Sequence, residues 1–251
     1  MKPPESATTR WERAAGDYFA STRWTMVLSA GRKTSPQSEQ ALAELCQLYW
    51  YPLYTYVRRL GRSREDAEDL VQSFFATFLQ RNYLEGLTNE RGKFRAFLLA
   101  CLKHFLANEA DKAQRQKRGG GVQHLSLNWQ DADSRFALEL PDHATPELAY
   151  DRAWAVALLE RVIERLQGEC VAEGKAQLFE QTKGCLMMGE AAIPYEQAAR
   201  ALSLDDGAVR VAVHRLRKRY RWLLRDEIAQ TLADPAQVAE ELRALQGVLS
   251  G

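Results

Sequence analysis

The sequence lacks most of what would mark a disulfide-stapled, metal-binding or membrane-spanning chain. Cys46, Cys101, Cys170 and Cys185 are the only cysteines in 251 residues, with no Cys-x-x-Cys and no histidine at ligand spacing. That excludes a disulfide framework or a zinc site, so the thiols are expected to be small packing residues in a reducing cytoplasm. No stretch approaches the roughly 18 apolar residues of a membrane span, and Met1 to Arg13 has no apolar core of a signal peptide. A cytoplasmic protein without a membrane partner is the expectation. Strand-like alternation is almost absent. No phosphate loop, metal set or nucleophile–base pair occurs, so no catalytic residue, metal or cofactor is expected and the chain does not read as an enzyme. Charge of one sign is missing too, since 34 lysines and arginines face 33 aspartates and glutamates, a net +1. Any nucleic-acid contact therefore depends on segregated charge.

Helical periodicity is what the chain does contain. Thr22 is placed to cap a helix from Arg23 to Ala30. Ser35-Pro36 starts a second, because proline in the first turn gives up only an N–H that has no partner there. That helix is expected to break near Pro52 and stop at Gly61. Ser63 caps a third, with Ala67, Leu70, Val71, Phe74, Phe75, Phe78 and Leu79 as an i, i+3, i+4 stripe. After a loop from Asn82 to Arg91, Phe94, Phe97, Leu98, Cys101, Leu102, Phe105 and Leu106 repeat the pattern. Arg118-Gly119-Gly120-Gly121 ends the helix, each glycine costing about 1 kcal/mol relative to alanine. The acidic, aperiodic stretch that follows predicts a flexible linker. Thr145-Pro146 restarts helix, and Asp234-Pro235 opens a last one. The fold expected is all-α: a helical domain over 1–118, a flexible acidic linker over 119–144, a second helical domain over 145–225 and a C-terminal helical extension over 226–251.

Two basic constellations and one acidic one stand out. Tyr195 to Leu202 is a short amphipathic helix, Ser203 to Asp206 a tight turn, and Gly207 onward a longer helix, which is helix-turn-helix spacing. On the longer helix Val209, Val213, Leu216, Tyr220 and Leu223 make a core stripe. Arg210, His214, Arg217, Lys218, Arg221 and Arg225 lie opposite, and no acidic residue interrupts Gly207 to Arg225. A groove-entering helix needs such unopposed positive charge, so DNA contact is favoured over a merely solvated face. The second basic region, Lys103, His104, Lys112, Arg115, Lys117 and Arg118 with Asn108, is interrupted by Glu109 and Asp111 and fits nucleic-acid contact or a solvated helix end equally. The acidic cluster is Glu65, Asp66, Glu68 and Asp69 with Gln72. Its charges suit a helix amino terminus, and they also suit a basic protein partner.

These residues resemble a known family. Asp66-Ala67-Glu68-Asp69-Leu70-Val71-Gln72 resembles the polymerase-docking segment in the second conserved region of bacterial RNA polymerase sigma factors. Phe94-Arg95-Ala96-Phe97-Leu98 and the basic helix after it resemble the promoter-melting and minus-ten-reading segment. Tyr195 to Ala199, Gly207 to Arg210 and His214 to Arg219 resemble the minus-thirty-five-reading helix-turn-helix. Their order, with only two domains, matches the compact extracytoplasmic-function (ECF) class of the sigma-70 family. Ser203 stands where the family usually has a turn glycine, and His104 where asparagine is common, with Asn108 one turn later.

The resemblance implies a sigma factor that binds core RNA polymerase and directs promoter-specific initiation without doing bond chemistry. Asp66, Glu68, Asp69 and Gln72 would bind polymerase. Lys103, His104, Asn108, Lys112, Arg115, Arg210, His214, Arg217, Lys218 and Arg221 would bind promoter DNA. An anti-sigma factor or a regulatory kinase is a further partner that the resemblance brings into view. The competing readings are a stand-alone helix-turn-helix regulator, which leaves the acidic motif unexplained, and a protein-binding helical scaffold, which leaves the basic stripe unexplained.

Overall fold

The computed structural model describes residues 22–30, 35–80, 92–115, 132, 136, 144–186 and 195–250. All regular structure among them is helical: α1 (Arg23–Ala30), α2 (Pro36–Arg59), α3 (Arg64–Gln80), α4 (Phe94–Arg115), α5 (Pro146–Ala172), α6 (Ala176–Thr182), α7 (Tyr195–Leu202), α8 (Asp206–Ala229) and α9 (Val238–Ser250). Short 3-10 turns cover Lys183–Leu186 and Pro235–Gln237. The chain divides into two compact units, residues 1–154 with 229–251, and residues 155–228. The helical start expected at 145 thus opens inside the first unit, and most of the expected C-terminal extension groups with that unit as well.

Start signals legible in the sequence take the forms their chemistry dictates. Ser35 and Ser38 make a reciprocal capping box at α2. The Ser63 hydroxyl accepts from the Asp66 amide at 3.1 Å, and the Thr145 hydroxyl from the Leu148 amide at 3.2 Å. Pro52 is the exception, because α2 runs through it unbroken. An interior proline costs about 3 kcal/mol. Here Tyr49, Tyr51, Leu53, Tyr54 and Tyr56 around it are all buried, so packing outweighs the missing hydrogen bond.

The first unit is built on aromatic contacts. Trp24 meets Phe94 edge-on at 4.9 Å and stacks on Phe97 at 5.4 Å, and Tyr49 meets Phe94 at 5.1 Å. The stripes of α3 and α4 meet where Phe74 and Phe105 lie 5.7 Å apart. Ala67, Val71, Phe74, Phe75 and Phe78 are buried as the period requires, whereas Leu79 ends the stripe exposed. The expected loop from Asn82 to Arg91 lies outside the described residues. Of the expected linker, Ala132, Phe136 and Ala144 are described. Ala132 is buried, and Phe136 lies under the guanidinium groups of Arg58 and Arg59 at 4.9 and 5.0 Å.

In the second unit Val162, Leu166 and Cys170 of α5 pack with Phe179, Leu186 and the Leu216, Tyr220 and Leu223 stripe of α8. A second cluster joins Cys185, Ala198 and Ala199 to Val209 and Val213. Burial pushes the Tyr220 hydroxyl up to about 12. Glu227, fully buried, accepts from Arg165 and pairs with Arg161 at 3.3 Å, and Arg165 also reaches Asp226 at 2.8 Å. A buried carboxylate needs this much compensation, and it ties α5 to the end of α8. All four cysteines are free, three of them buried. No helix among the described residues is long and apolar enough to cross a membrane.

Candidate nucleic-acid interface

The acidic end of α3 is presented to solvent from Leu60 through Asp66. Asp66 and Asp69 are exposed and three residues apart, so they share a face away from buried Ala67, Val71 and Phe74. Glu68 is partly covered and takes a hydrogen bond from Arg64 Nε at 2.8 Å. Gln72 is half-buried. Of the cluster, Glu65, Asp66 and Asp69 carry the outward charge, whereas Glu68 is engaged by Arg64.

Along α4 the expected cations differ sharply in environment. Lys103 is exposed, yet its ammonium donates to Glu147 Oε1 at 2.7 Å and lies 5.6 Å from the Tyr56 ring. Hydrogen bonding to Glu147 raises the Lys103 pKa, and the Glu147 carboxyl is lowered in turn by Lys103. His104 is exposed with Nδ1 3.2 Å from the Asn108 amide nitrogen, so the two side chains one turn apart form a polar pair. The side chains of Lys112 and Arg115 lie outside the described residues, as do Lys117 and Arg118 altogether.

The start of the same helix holds a group that charge counting missed. Arg95 donates to Asp151 and to Glu241, a carboxylate 1% exposed, and stacks on the Trp154 ring at 4.8 Å. Burial works against the charge on Arg95, but its hydrogen bonds to Glu241 and the charge of Asp151 outweigh it and raise the pKa. Asp151 is raised, because burial exceeds the help it gets from Arg95. Lys93 beside it reaches Glu240 at 2.7 Å and Glu241 at 2.8 Å. No spacing rule could find this network, since its acids lie some 56 and 146 residues from Arg95 in sequence.

In the second unit α7 and α8 are joined by a short turn. Ser203 closes α7 with φ 53, the left-handed conformation usually left to glycine, and the Leu204 amide bonds back to Ala199 O at 3.0 Å. The Asp205 carboxylate then caps α8 by accepting from the Ala208 amide at 2.9 Å. Val209, Val213, Leu216, Tyr220 and Leu223 face the core, as their period requires. Arg210, His214, Lys218, Arg221 and Arg225 are exposed on the opposite side. Arg210 stacks over the Tyr195 ring at 4.3 Å, which steadies its guanidinium at the amino-terminal end of the face.

Arg217 behaves differently from its neighbours. It lies at the edge of the face and donates Nε and Nη2 to the Cys185 carbonyl at 2.9 and 2.6 Å. Arg219 is likewise engaged, bidentate on Glu169 at 2.7 and 2.6 Å. Two further residues sit among the exposed cations: Arg215, and Val211 at 51% exposure. Leu204 in the turn is 45% exposed. The sequence signal for Val211 was available, namely an apolar residue off the core stripe of an otherwise basic helix.

Residues 48–116 match the family model of sigma-70 region 2. The match runs from the latter part of α2 through α3 and α4. No curated protein and no solved structure matches the chain. The chain therefore carries a sigma-70 region 2 domain, which implies a sigma-factor role in transcription initiation, with core RNA polymerase and promoter DNA as partners. That family is non-enzymatic.

Proposed function

We propose that the chain is a compact, two-domain sigma factor of the ECF class, acting in the cytoplasm and reading promoter DNA through two separate surfaces. Region 2 carries the proposal, because it accounts at once for the acidic face of α3 and the basic helix α4. On this reading Asp66 and Asp69 meet a basic polymerase surface, with Glu68 and Gln72 at the margin. His104 and Asn108 contact the minus-ten region, with Lys103, Lys112 and Arg115 supplying positive charge. An ammonium already bonded to Glu147 has to exchange that partner for a phosphate, so Lys103 contributes less than its charge suggests.

The second surface is α7–α8, which serves as a helix-turn-helix. Such motifs read base edges with the amino-terminal part of the second helix and phosphates further along. Arg210 and His214 fall in the first part, and Lys218, Arg221 and Arg225 in the second. Exposed Val211 lies between the two readers and suits the methyl group of thymine. Restraint by an anti-sigma factor or a kinase belongs to the same reading. The deciding experiment is run-off transcription with the purified chain and core polymerase on a promoter library. Promoter-selective initiation that depends on the chain supports the proposal. Its absence, together with failure to co-purify with core polymerase, overturns it.

A further inference from the structure

Tyr195 opens α7, whereas Arg210 stands in the second turn of α8. The Tyr195 side chain is half-buried and packs on the cluster of Cys185, Ala198, Ala199, Val209 and Val213. Its ring is thus seated by the core of the second unit, and the Arg210 guanidinium carbon lies over it at 4.3 Å. Among the described residues this is the one interaction of the Arg210 side chain, and no carboxylate or carbonyl takes its N–H groups. Glu196, next to Tyr195, pairs instead with Arg200 at 3.3 Å. Arginines further along α8 are held in another way. Arg219 also lies over a ring, that of Trp222 at 4.2 Å, but it gives two donors to Glu169. Arg217 gives two to the Cys185 carbonyl. Both are anchored by donors, which leaves fewer of them for a ligand.

A ring contact acts on the charge of the guanidinium and uses none of its N–H groups, so Arg210 is ordered with its donor fork still open. A long side chain that is already ordered loses less conformational freedom when it binds. Order also sharpens choice. A mobile arginine can swing to a neighbouring phosphate, whereas a tethered one rewards only a base edge that matches its fork, such as O6 and N7 of guanine. We propose that Tyr195 is a positioning residue for base recognition, holding Arg210 so that one upstream base is selected more strictly. The specificity of the second helix is then set in part by the first residue of the helix before it, which need not touch a base. This rests on the helix-turn-helix reading above and deepens it.

The test uses the full chain with core polymerase and a promoter library randomised across the upstream element. The wild type is compared with Tyr195→Phe, Tyr195→Leu, Arg210→Ala and the double variant that closes the cycle. Tyr195→Phe keeps the ring and is expected to keep the wild-type profile. Tyr195→Leu keeps the apolar packing and loses the ring. It is expected to lower guanine preference at one position by about two- to fivefold, the range of a cation–π contact at an exposed site. In the Arg210→Ala background the same leucine substitution should change nothing at that position. An unchanged thermal midpoint shows that the leucine chain is folded, and Tyr195→Met, an adaptable filler of the same gap, replaces it if the midpoint falls. A wild-type profile from the leucine or methionine chain overturns the positioning role alone, as does an effect of equal size without Arg210. An Arg210→Ala chain with the wild-type upstream profile overturns the base-reading assignment, and the inference with it. A wild-type chain that does not initiate with core polymerase overturns the sigma-factor reading as a whole.

Discussion

Residues of identical charge do unlike work in this molecule, and the partner each finds is what separates them. Arg210 is exposed and stacked on Tyr195, and on the proposed reading it offers its fork to a guanine. Arg217, seven residues on, gives two donors to the Cys185 carbonyl. Arg210→Ala is therefore expected to relax base preference at one or two upstream promoter positions by about 1–3 kcal/mol, measured by promoter selection with the holoenzyme. Arg217→Ala should instead lower the thermal stability of the chain, by about 1.5–3 kcal/mol for a hydrogen bond to a charged donor, with base preference unchanged. On α3, Asp69→Arg is expected to weaken binding to core polymerase while the domain stays folded. A desolvated pair at such an interface is worth about 2–5 kcal/mol and a rim pair little. Glu68→Ala should cost less, because its carboxylate is already engaged by Arg64. Wild-type retention of the Asp69→Arg chain in a pull-down on core polymerase would remove α3 from the docking surface.

At the scale of elements, ends and turns decide more than middles. The α7–α8 turn puts a serine where φ is 53, a conformation that costs a side-chain-bearing residue roughly 1–2 kcal/mol and glycine very little. Ser203→Gly is thus expected to raise the urea midpoint modestly. The gain is below that strain figure because glycine also loosens the unfolded chain. A fall in the midpoint would mean that the serine hydroxyl supports the turn. The Ser35 box at α2 makes the opposite case. Its loss in Ser35→Ala should cost about 1 kcal/mol, read by the same denaturation, since it leaves first-turn donors without acceptors. Interior Pro52 shows that an element survives a breaker when its neighbours are buried aromatics. The usual rule for helix interruption weighs only the backbone, and so does not anticipate the outcome.

For the whole molecule, the near-zero net charge conceals local segregation of charge. Acids project from α3 and cations from α8, so binding to DNA is expected to be strongly salt-dependent although the chain as a whole carries only +1. Arg221→Ala should weaken binding for all sequences alike and reduce the slope of log K against log salt by about 1. A titration of promoter binding by holoenzyme at several salt concentrations measures both. An unchanged slope would place Arg221 outside the phosphate contact. Contacts of residues 230–241 reach the starts of α1 and α4 across most of the chain, so truncation at the end of α8 removes part of the first unit, not an appendage.

The sequence by itself determined what depends on neighbours a few residues away. Helix starts at Ser35, Ser63 and Thr145, the buried stripes of α3, α4 and α8, and the exposed basic face opposite Val209 and Val213 all follow from capping and a 3.6-residue period. The region 2 motif was legible for the same reason, since its residues are consecutive. Only the tertiary structure decided which cations have partners within the chain: Lys103 with Glu147, Arg217 with the Cys185 carbonyl, Arg95 with Asp151 and Glu241. It alone returned residues 229–250 to the first unit, with Glu241 buried beneath α4. Such pairings join residues far apart in the chain, where loop closure sets only a weak preference among partners. The choice is made by which burial leaves no charge or backbone group unpaired, a property of the assembled core that no local pattern encodes.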